Sequence, residues 1–299
     1  MDNMTAKVSC FARAYHYKNY DKHIFADDKA AVLLGDDYDK IAESMSQGIS
    51  FFLPDFHGSR EDGLRLIVDR QLSPSVLARN AFCENMLCKA MGEGCVQYLI
   101  FAAGYDTFGI RNTDHSLSVF ELDLPEMLED KTARQKKAGL NGNSVFVPCD
   151  LSGDTWKDAL RKSGFTSGRK TFGSLLGISY YLEKEDFRKL LMAIVDILSV
   201  GSEICMDYPT DDESKETKVN QELASAAQEW MKAKYSSNEM KVLLENCGFR
   251  IVEQIDPAEM TEKFFTDYNK SNPDHRMKAP AGVCYCMARK AGFSRESIG

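Results

Sequence analysis

The sequence predicts an α/β protein with a mostly parallel sheet of seven strands, covered by helices on both faces and preceded by a helical N-terminal cap. Three observations predict it. From residue 96 onward, short runs rich in Val, Ile, Phe and Tyr alternate with segments of helical spacing, as in strands joined by helical crossovers. Residues 1–92 hold few such runs and much helical spacing. The last two β-rich runs have no periodic helix between them, only KFFTDYNKSNPDHRMKAPA, so they are expected to pair antiparallel. The 299-residue length suits one such domain with additions, and 43% hydrophobic residues suffice for a full core.

Each element has its own signals. KAAVLLGDDYDKIAESM carries helical spacing, and Gly48, Pro54, Gly58 and Gly63 punctuate the next stretch of chain. SPSVLARNAFCENMLCKAMGEG reads as a helix with Ser73 as N-cap, Pro74 near its start and Gly92 as its stop. VQYLIF (96–101) is the first strand, ending in the turn AAGYDT, and SVFELD (118–123) is the second. PEMLEDKTARQKKAG is a helix with Pro125 near N1, acids early, bases late and Gly139 as stop. NSVFVPCD (143–150), TFGSLLGISYYL (171–182, strand and adjoining loop) and SEICMDYP (202–209) are the next strands. The helices TWKDALRKSGF and EKEDFRKLLMAIVDILSVG separate them, the second amphipathic and ending at Gly201. A polar stretch at about 210–235 reads as an inserted surface helix. SSNEMKVLLENCG has capping-box spacing at Ser236 and Glu239 and stops at Gly248. FRIVEQ (249–254) and GVCYCMAR (282–289) complete the sheet. The expected division is 1–92 as cap and 93–299 as ligand-binding domain.

Bulk properties exclude several classes. A net charge of -8 with no Lys/Arg-rich block argues against nucleic acid and anionic membrane as partners. The most apolar stretch, VQYLIFAAG, is about half the length of a membrane helix. Charges in every turn of MDNMTAKVSCFARAYHYK exclude a signal peptide. Nine cysteines without a Cys-x-x-Cys read as free buried thiols, which fits a reducing cytoplasm. His23, His57, His115 and His275 lack metal-ligand spacing, so no metal is expected. Nothing in the pattern specifies an oligomeric state.

In open α/β sheets the ligand sits beyond the carboxyl ends of the strands. Past the first strand stands Gly104, and 19 positions on, at the end of the second, stands Asp123. A turn glycine with a strand-end acid about 20 residues later is how a nucleoside is held. The acid accepts from both ribose hydroxyls, and the glycine lets the backbone approach. The loop Ala102-Ala103-Gly104-Tyr105-Asp106-Thr107 has one Gly and an Asp. A pyrophosphate wants G-x-G-x-x-G and would be repelled by Asp106, so NAD is disfavoured. S-adenosylmethionine has no phosphate and carries a sulfonium and an ammonium; this loop suits it.

FAAGYDTFGIR, FELDLPEMLEDKTAR, PCDL and GISYYL, in that order, resemble the leucine carboxyl methyltransferase family, which includes protein phosphatase 2A methyltransferases and bacterial polyketide-type O-methyltransferases. Ala103, Gly104, Asp106, Thr107 and Arg111 match its first motif, and Phe120, Glu121, Asp123 and Pro125 its second. Arg79 in LARNAF matches its upstream Arg, and FARAYH with FADDKAAVLL matches its N-terminus. The resemblance covers roughly residues 10–255. It implies a Rossmann-like class I methyltransferase sheet binding S-adenosylmethionine and releasing S-adenosylhomocysteine. It implies that Arg79 pairs with the methionine carboxylate and that Ala103, Gly104, Tyr105 and Gly177 face the cofactor. Asp123 and Leu124 would hold the ribose, and Asp150 and Leu151 the adenine. Two positions depart from the family: Leu176 stands where Glu is frequent and Ala102 where Gly is usual.

Other readings stay open for the same residues. Asp123 also suits a cap for the helix that Pro125 begins, and Asp150 a turn acid. Arg79 suits a solvated helix charge, and Asp106 an Asx turn. Arg13 and His16, in a polar helix, are exposed by default and otherwise candidates for substrate contact, as are the aromatics Tyr180 and Tyr181. The expected function is O-methyl transfer to a carboxylate of a small molecule or peptide, with no catalytic residue singled out. A carboxylate is ionised at neutral pH, its pKa being about 4, and needs no general base. The alternatives are an inactive S-adenosylmethionine-binding protein and an NAD-dependent oxidoreductase.

Overall fold

The computed structural model describes residues 4–212 and 231–292. Seven strands form one sheet: β1 (Gln97–Phe101), β2 (Ser118–Asp123), β3 (Ser144–Pro148), β4 (Thr171–Leu175), β5 (Glu203–Pro209), β6 (Phe249–Ile255) and β7 (Val283–Lys290). Their order is β3-β2-β1-β4-β5-β7-β6. The first five are parallel, and β7 runs antiparallel to both β5 and β6. The expected seven-stranded sheet with an antiparallel last strand is therefore present.

The central strands β1, β4 and β5 are buried throughout and mainly apolar because helices cover both faces. Alternate residues of β1 enter two separate cores: Leu99 and Phe101 join Trp156, Phe187 and Leu191 on one side. Tyr98 and Ile100 join Leu77, Phe82, Phe172 and Tyr285 on the other. A third core lies among the N-terminal helices α1 (Met4–Asn19), α2 (Ala30–Leu34) and α3 (Asp37–Gln47). There Phe11, Leu33, Leu34 and Ile41 meet Tyr105 and Met127 of the sheet region.

Helix α4 (Ile49–Phe52) is short, and α5 (Arg60–Ile67) leads into Val68–Leu72, a turn of π-helix, and then into α6 (Ser73–Gly92). Ser73 is thus inside a continuous helical run and caps nothing; its Oγ is buried without a partner. The reason is Pro74, whose ring would collide with the carbonyl four residues back in a regular α-turn; the wider π-turn relieves this. At the other end Gly92 is still helical, and the chain leaves at Gly94 with φ +92°. Helix α6 packs against β4, β5 and β7, so this part of the 1–92 segment belongs to the covering of the sheet.

Helix α7 (Phe108–Arg111) comes after β1, and α8 (Pro125–Ala138) joins β2 to β3. Helix α8 starts on Pro125 and ends at Gly139 in the left-handed region at φ 65°. Helices α9 (Trp156–Lys162) and α10 (Lys184–Ile197) come next, the latter ending four residues before Gly201. The expected helix at about 210–235 falls mainly on 213–230, which lie outside the described residues; its flanks 210–212 and 231–235 are irregular. Helix α11 (Ser237–Asn246) begins with the capping box of Ser236 and Glu239. The β6–β7 connection is more helical than its sequence suggests. It holds α12 (Pro257–Met260), a π-turn (Thr261–Phe265) and α13 (Thr266–Ser271). A second capping box, Asp256 with Glu259 around Pro257, starts it.

Candidate active site

Strand order reverses between β1 and β4, and ligands of open α/β sheets bind beyond that point. A cavity of about 820 Å³ opens there, between the loops after β1 and β4, with α1, the turn that leads into α6, the start of α6 and the chain just after β5 and just before β7 as its other walls. The β1 loop is tightly folded. Ala102 (φ 50°) and Gly104 (φ 49°) are both left-handed, and Asp106 Oδ1 accepts from Phe108 N–H at 2.7 Å, an Asx turn. Asp123 Oδ2 accepts from Gly104 N–H at 2.7 Å and Oδ1 from Leu124 N–H at 2.7 Å. Each oxygen keeps a second acceptor position. Burial outweighs those two bonds and raises the Asp123 pKa. Ala6 of α1 lies over Gly104: a Cβ there would be 3.2 Å from Ala6 Cβ.

The β4 loop is organised from the next strand. Asp207, near the end of β5 and wholly buried, accepts Gly177 N–H on Oδ1 at 2.6 Å and the Tyr180 hydroxyl on Oδ2 at 3.0 Å. Its main-chain oxygen accepts from Ser179 Oγ at 2.9 Å. Burial and then Asp207 push the Tyr180 phenol far above its ordinary pKa. Arg79 of α6 reaches the same place. Its Nη1 lies 3.7 Å from Asp207 Oδ2 and its Nη2 3.4 Å from Ser9 Oγ. Its Nε is buried with no partner. Gly177, at φ +70°, leaves room for it, since a Cβ would stand 3.0 Å from Arg79 Nη1.

Of the sequence candidates, Arg79, Ala103, Gly104, Tyr105, Gly177, Tyr180, Tyr181 and Arg13 line this cavity. Asp123, Leu124, Asp150 and Leu151 stand at the ends of β2 and β3 outside its wall; Asp123 touches it through Gly104. Asp150 is exposed, and its bonds to Ser152 lower its pKa. Leu151 packs against the first core. Leu176 lines the cavity and packs against the second.

Arg13 and His16 are buried, not exposed as polar helix residues are by default. Arg13 donates to Asp27 at 2.8 Å and to the Tyr105 carbonyl at 2.7 Å, which fastens α1 to the β1 loop. Asp27 also accepts from Thr107. Burial opposes its charge, but Arg13 and Arg111 outweigh this and hold its pKa low. His16 lies away from the cavity among Tyr20, His23 and Tyr268, accepting from Ile24 N–H at 2.9 Å. Burial, then His23, lower its pKa to about 3.

Sequence reasoning missed Asp207, whose signal is an acid near the carboxyl end of the mainly apolar strand EICMDYP. It also missed Arg70, Gln71 and Lys232, which line the cavity. The π-turn presents the first two, and Pro74, which it accommodates, reads in the sequence only as a mark of the helix start. Among the described residues, no helix is long and apolar enough to cross a membrane. All nine cysteines are free, and eight are buried.

The family model of leucine carboxyl methyltransferase matches residues 6–195. A Bacillus subtilis (strain 168) protein, provisionally named S-adenosyl-L-methionine-dependent methyltransferase YktD, is 34% identical over 280 residues, covering 89% of this chain and 92% of its own. A Mycobacterium marinum protein of the same provisional designation is 27% identical over 237 residues, covering 76% and 77%. The fold is shared with a DUF574 family protein of Streptomyces avermitilis (TM-score 0.60, 15% identity, 96% and 97% covered). It is also shared with a protein of Thermobifida fusca titled as a methyltransferase on a provisional basis (TM-score 0.54, 15% identity, 96% and 94% covered). Neither an inactive cofactor binder nor an NAD-dependent oxidoreductase is favoured by these likenesses. The chain belongs to the leucine carboxyl methyltransferase family, and its activity is S-adenosylmethionine-dependent methyl transfer.

Proposed function

We propose that the acceptor is a carboxylate, of a small molecule or a peptide, and that the product is its methyl ester. The charge of the cavity wall carries this reading. Among the described residues no histidine lines the wall, and the one carboxylate that does, Asp106, is engaged with Phe108 N–H. A hydroxyl acceptor would need a base to take its proton; a carboxylate needs none. Arg70 and Lys232, both exposed at the cavity, form no ion pair with any described residue and suit an anionic acceptor.

The residues present fit S-adenosylmethionine. The unpartnered Arg79 Nε and the neighbouring Nη1 suit the methionine carboxylate. The left-handed Gly104 and Gly177 let backbone approach it. The spare acceptor positions of Asp123 suit the ribose hydroxyls, with Leu124 beside them, and Asp150 and Leu151 take the adenine end. Tyr105 backs the β1 loop. The cofactor supplies a methyl already activated on sulfur: the oxygen–carbon bond forms as the carbon–sulfur bond breaks, with S-adenosylhomocysteine leaving and no proton moving. The chain's part is to hold the acceptor oxygen in line and keep water out. Tyr181, at the rim, and Tyr180 are the aromatic contacts for the acceptor. Arg13 acts from behind, by holding α1 closed on the loop. The cytoplasm, where thiols stay reduced, is the proposed compartment.

The test uses S-adenosylmethionine labelled on its methyl group, with a panel of carboxylic acids and matched alcohols and phenols. Label should pass to carboxylic acids and be released as volatile methanol on mild alkali, as methyl esters are. Label resistant to alkali, or confined to the alcohols and phenols, would refute a carboxylate acceptor.

A further inference from the structure

We propose that Asp207 is a specificity residue that makes the site favour the sulfonium of S-adenosylmethionine over the uncharged thioether of S-adenosylhomocysteine, acting through Tyr180 and the Gly177 backbone. This rests on the placement of the methionine carboxylate at Arg79.

S-adenosylmethionine carries a carboxylate, an ammonium and a sulfonium, a net charge of one positive unit; its product has lost the sulfonium charge. The cavity wall has the opposite need. Its cations among the described residues are Arg79, Arg70, Lys232 and Arg13, the last already paired with Asp27. Among the described residues its lone carboxylate, Asp106, belongs to the β1 loop. Without a further negative charge, the β4 side would repel a cationic ligand.

Asp207 supplies that charge. It is wholly buried behind the β4 loop, and its three partners there, Gly177, Tyr180 and Arg79, all face the cavity. The Arg79 Nη1–Oδ2 separation of 3.7 Å balances the guanidinium charge without using its donors in a hydrogen bond. The Tyr180 hydroxyl donates its hydrogen bond to Asp207, so the lone pairs of its oxygen, polarised by the carboxylate, stay free on a side chain that lines the cavity. A polarised oxygen backed by a buried carboxylate favours a cation, and a low local dielectric strengthens the effect. If Asp207 served only to anchor the loop, both nucleosides would feel its loss alike.

The experiment is calorimetric titration of the full chain with S-adenosylmethionine and with S-adenosylhomocysteine, for wild type, Asp207→Asn, Tyr180→Phe and Arg79→Ala. Asp207→Asn removes the charge and keeps an oxygen for Gly177 N–H. It should raise the Kd of S-adenosylmethionine relative to that of S-adenosylhomocysteine by at least about fivefold, and Tyr180→Phe should move the ratio the same way by less. Parallel weakening of both ligands, or no change, in Asp207→Asn overturns the proposal. If that variant does not fold, Tyr180→Phe decides on the same ratio. Arg79→Ala separates the two ideas. If it weakens both ligands while the ratio in Asp207→Asn stays at its wild-type value, the Asp207 proposal fails alone; if it changes neither, the placement at Arg79 fails.

Discussion

Asp123 shows what one residue does in this site and how a test can isolate it. It holds Gly104 and Leu124 by their N–H groups and keeps an acceptor position on each oxygen. Asp123→Ala should therefore weaken S-adenosylmethionine binding by more than about tenfold, since a charged acceptor shared by two hydroxyls is lost. Equilibrium titration checks this, and wild-type affinity would remove Asp123 from the site. The sequence pointed to this residue because strand-end position and distance from a turn glycine are one-dimensional facts. It could not show that Asp123 lies beneath Gly104 outside the cavity wall, nor that Arg79 meets Asp207. Those two residues are brought together by α6 crossing β5, and no spacing along the chain records a crossing. His16 was misread for a related reason. A polar helix looks exposed when its partners are unknown, yet His16 is enclosed by Tyr20, just past the end of α1, and by Tyr268 of the distant α13.

At the scale of elements, the π-turn Val68–Leu72 is the segment whose conformation the sequence hid. It turns Arg70 and Gln71 toward the cavity and Asp69 inward, where Tyr20 donates to its carboxylate. Burial raises the Asp69 pKa from 3.8 to about 6, against opposing effects of Tyr20, Arg65 and Arg70. The folded state thus binds this proton more tightly than the unfolded one. The associated stability is complete below about pH 4 and lost as pH rises through about 6. Asp69→Asn removes the titration and still accepts from Tyr20. It should gain stability over wild type as pH rises from 4.5 to 7.5, by about 2 kcal/mol. Urea unfolding at both values measures this; a pH-independent difference would contradict it. His16 titrates in both proteins and cancels. Elements with punctuation were legible: Pro125 and Gly139 bracket α8, and Ser236 opens α11. The helical β6–β7 connection carried equal punctuation in Asp256-Pro257-Ala258-Glu259. It was hidden because α12 and α13 are too short for a periodicity to develop.

For the whole molecule, the sheet was the most legible feature, since burial on both faces leaves apolar runs whose alternation with helices fixes a parallel order. Ligand binding should register across this whole unit. At 100 times its dissociation constant, either sulfur nucleoside should add about 2.7 kcal/mol to stability, while NAD adds nothing. Thermal melts with each ligand check this, and protection by NAD alone would reverse the cofactor assignment. The docking of α1 has a consequence of another kind. Its Ala6 covers Gly104, its Ser9 touches Arg79 and its Arg13 grips Tyr105, so this helix finds its cavity partners some seventy to ninety residues later in the chain. Synthesis proceeds at about 5–20 residues per second. For several seconds that helix therefore has α2 and α3 to pack on but not yet the loop and strand ends with which it encloses the cavity.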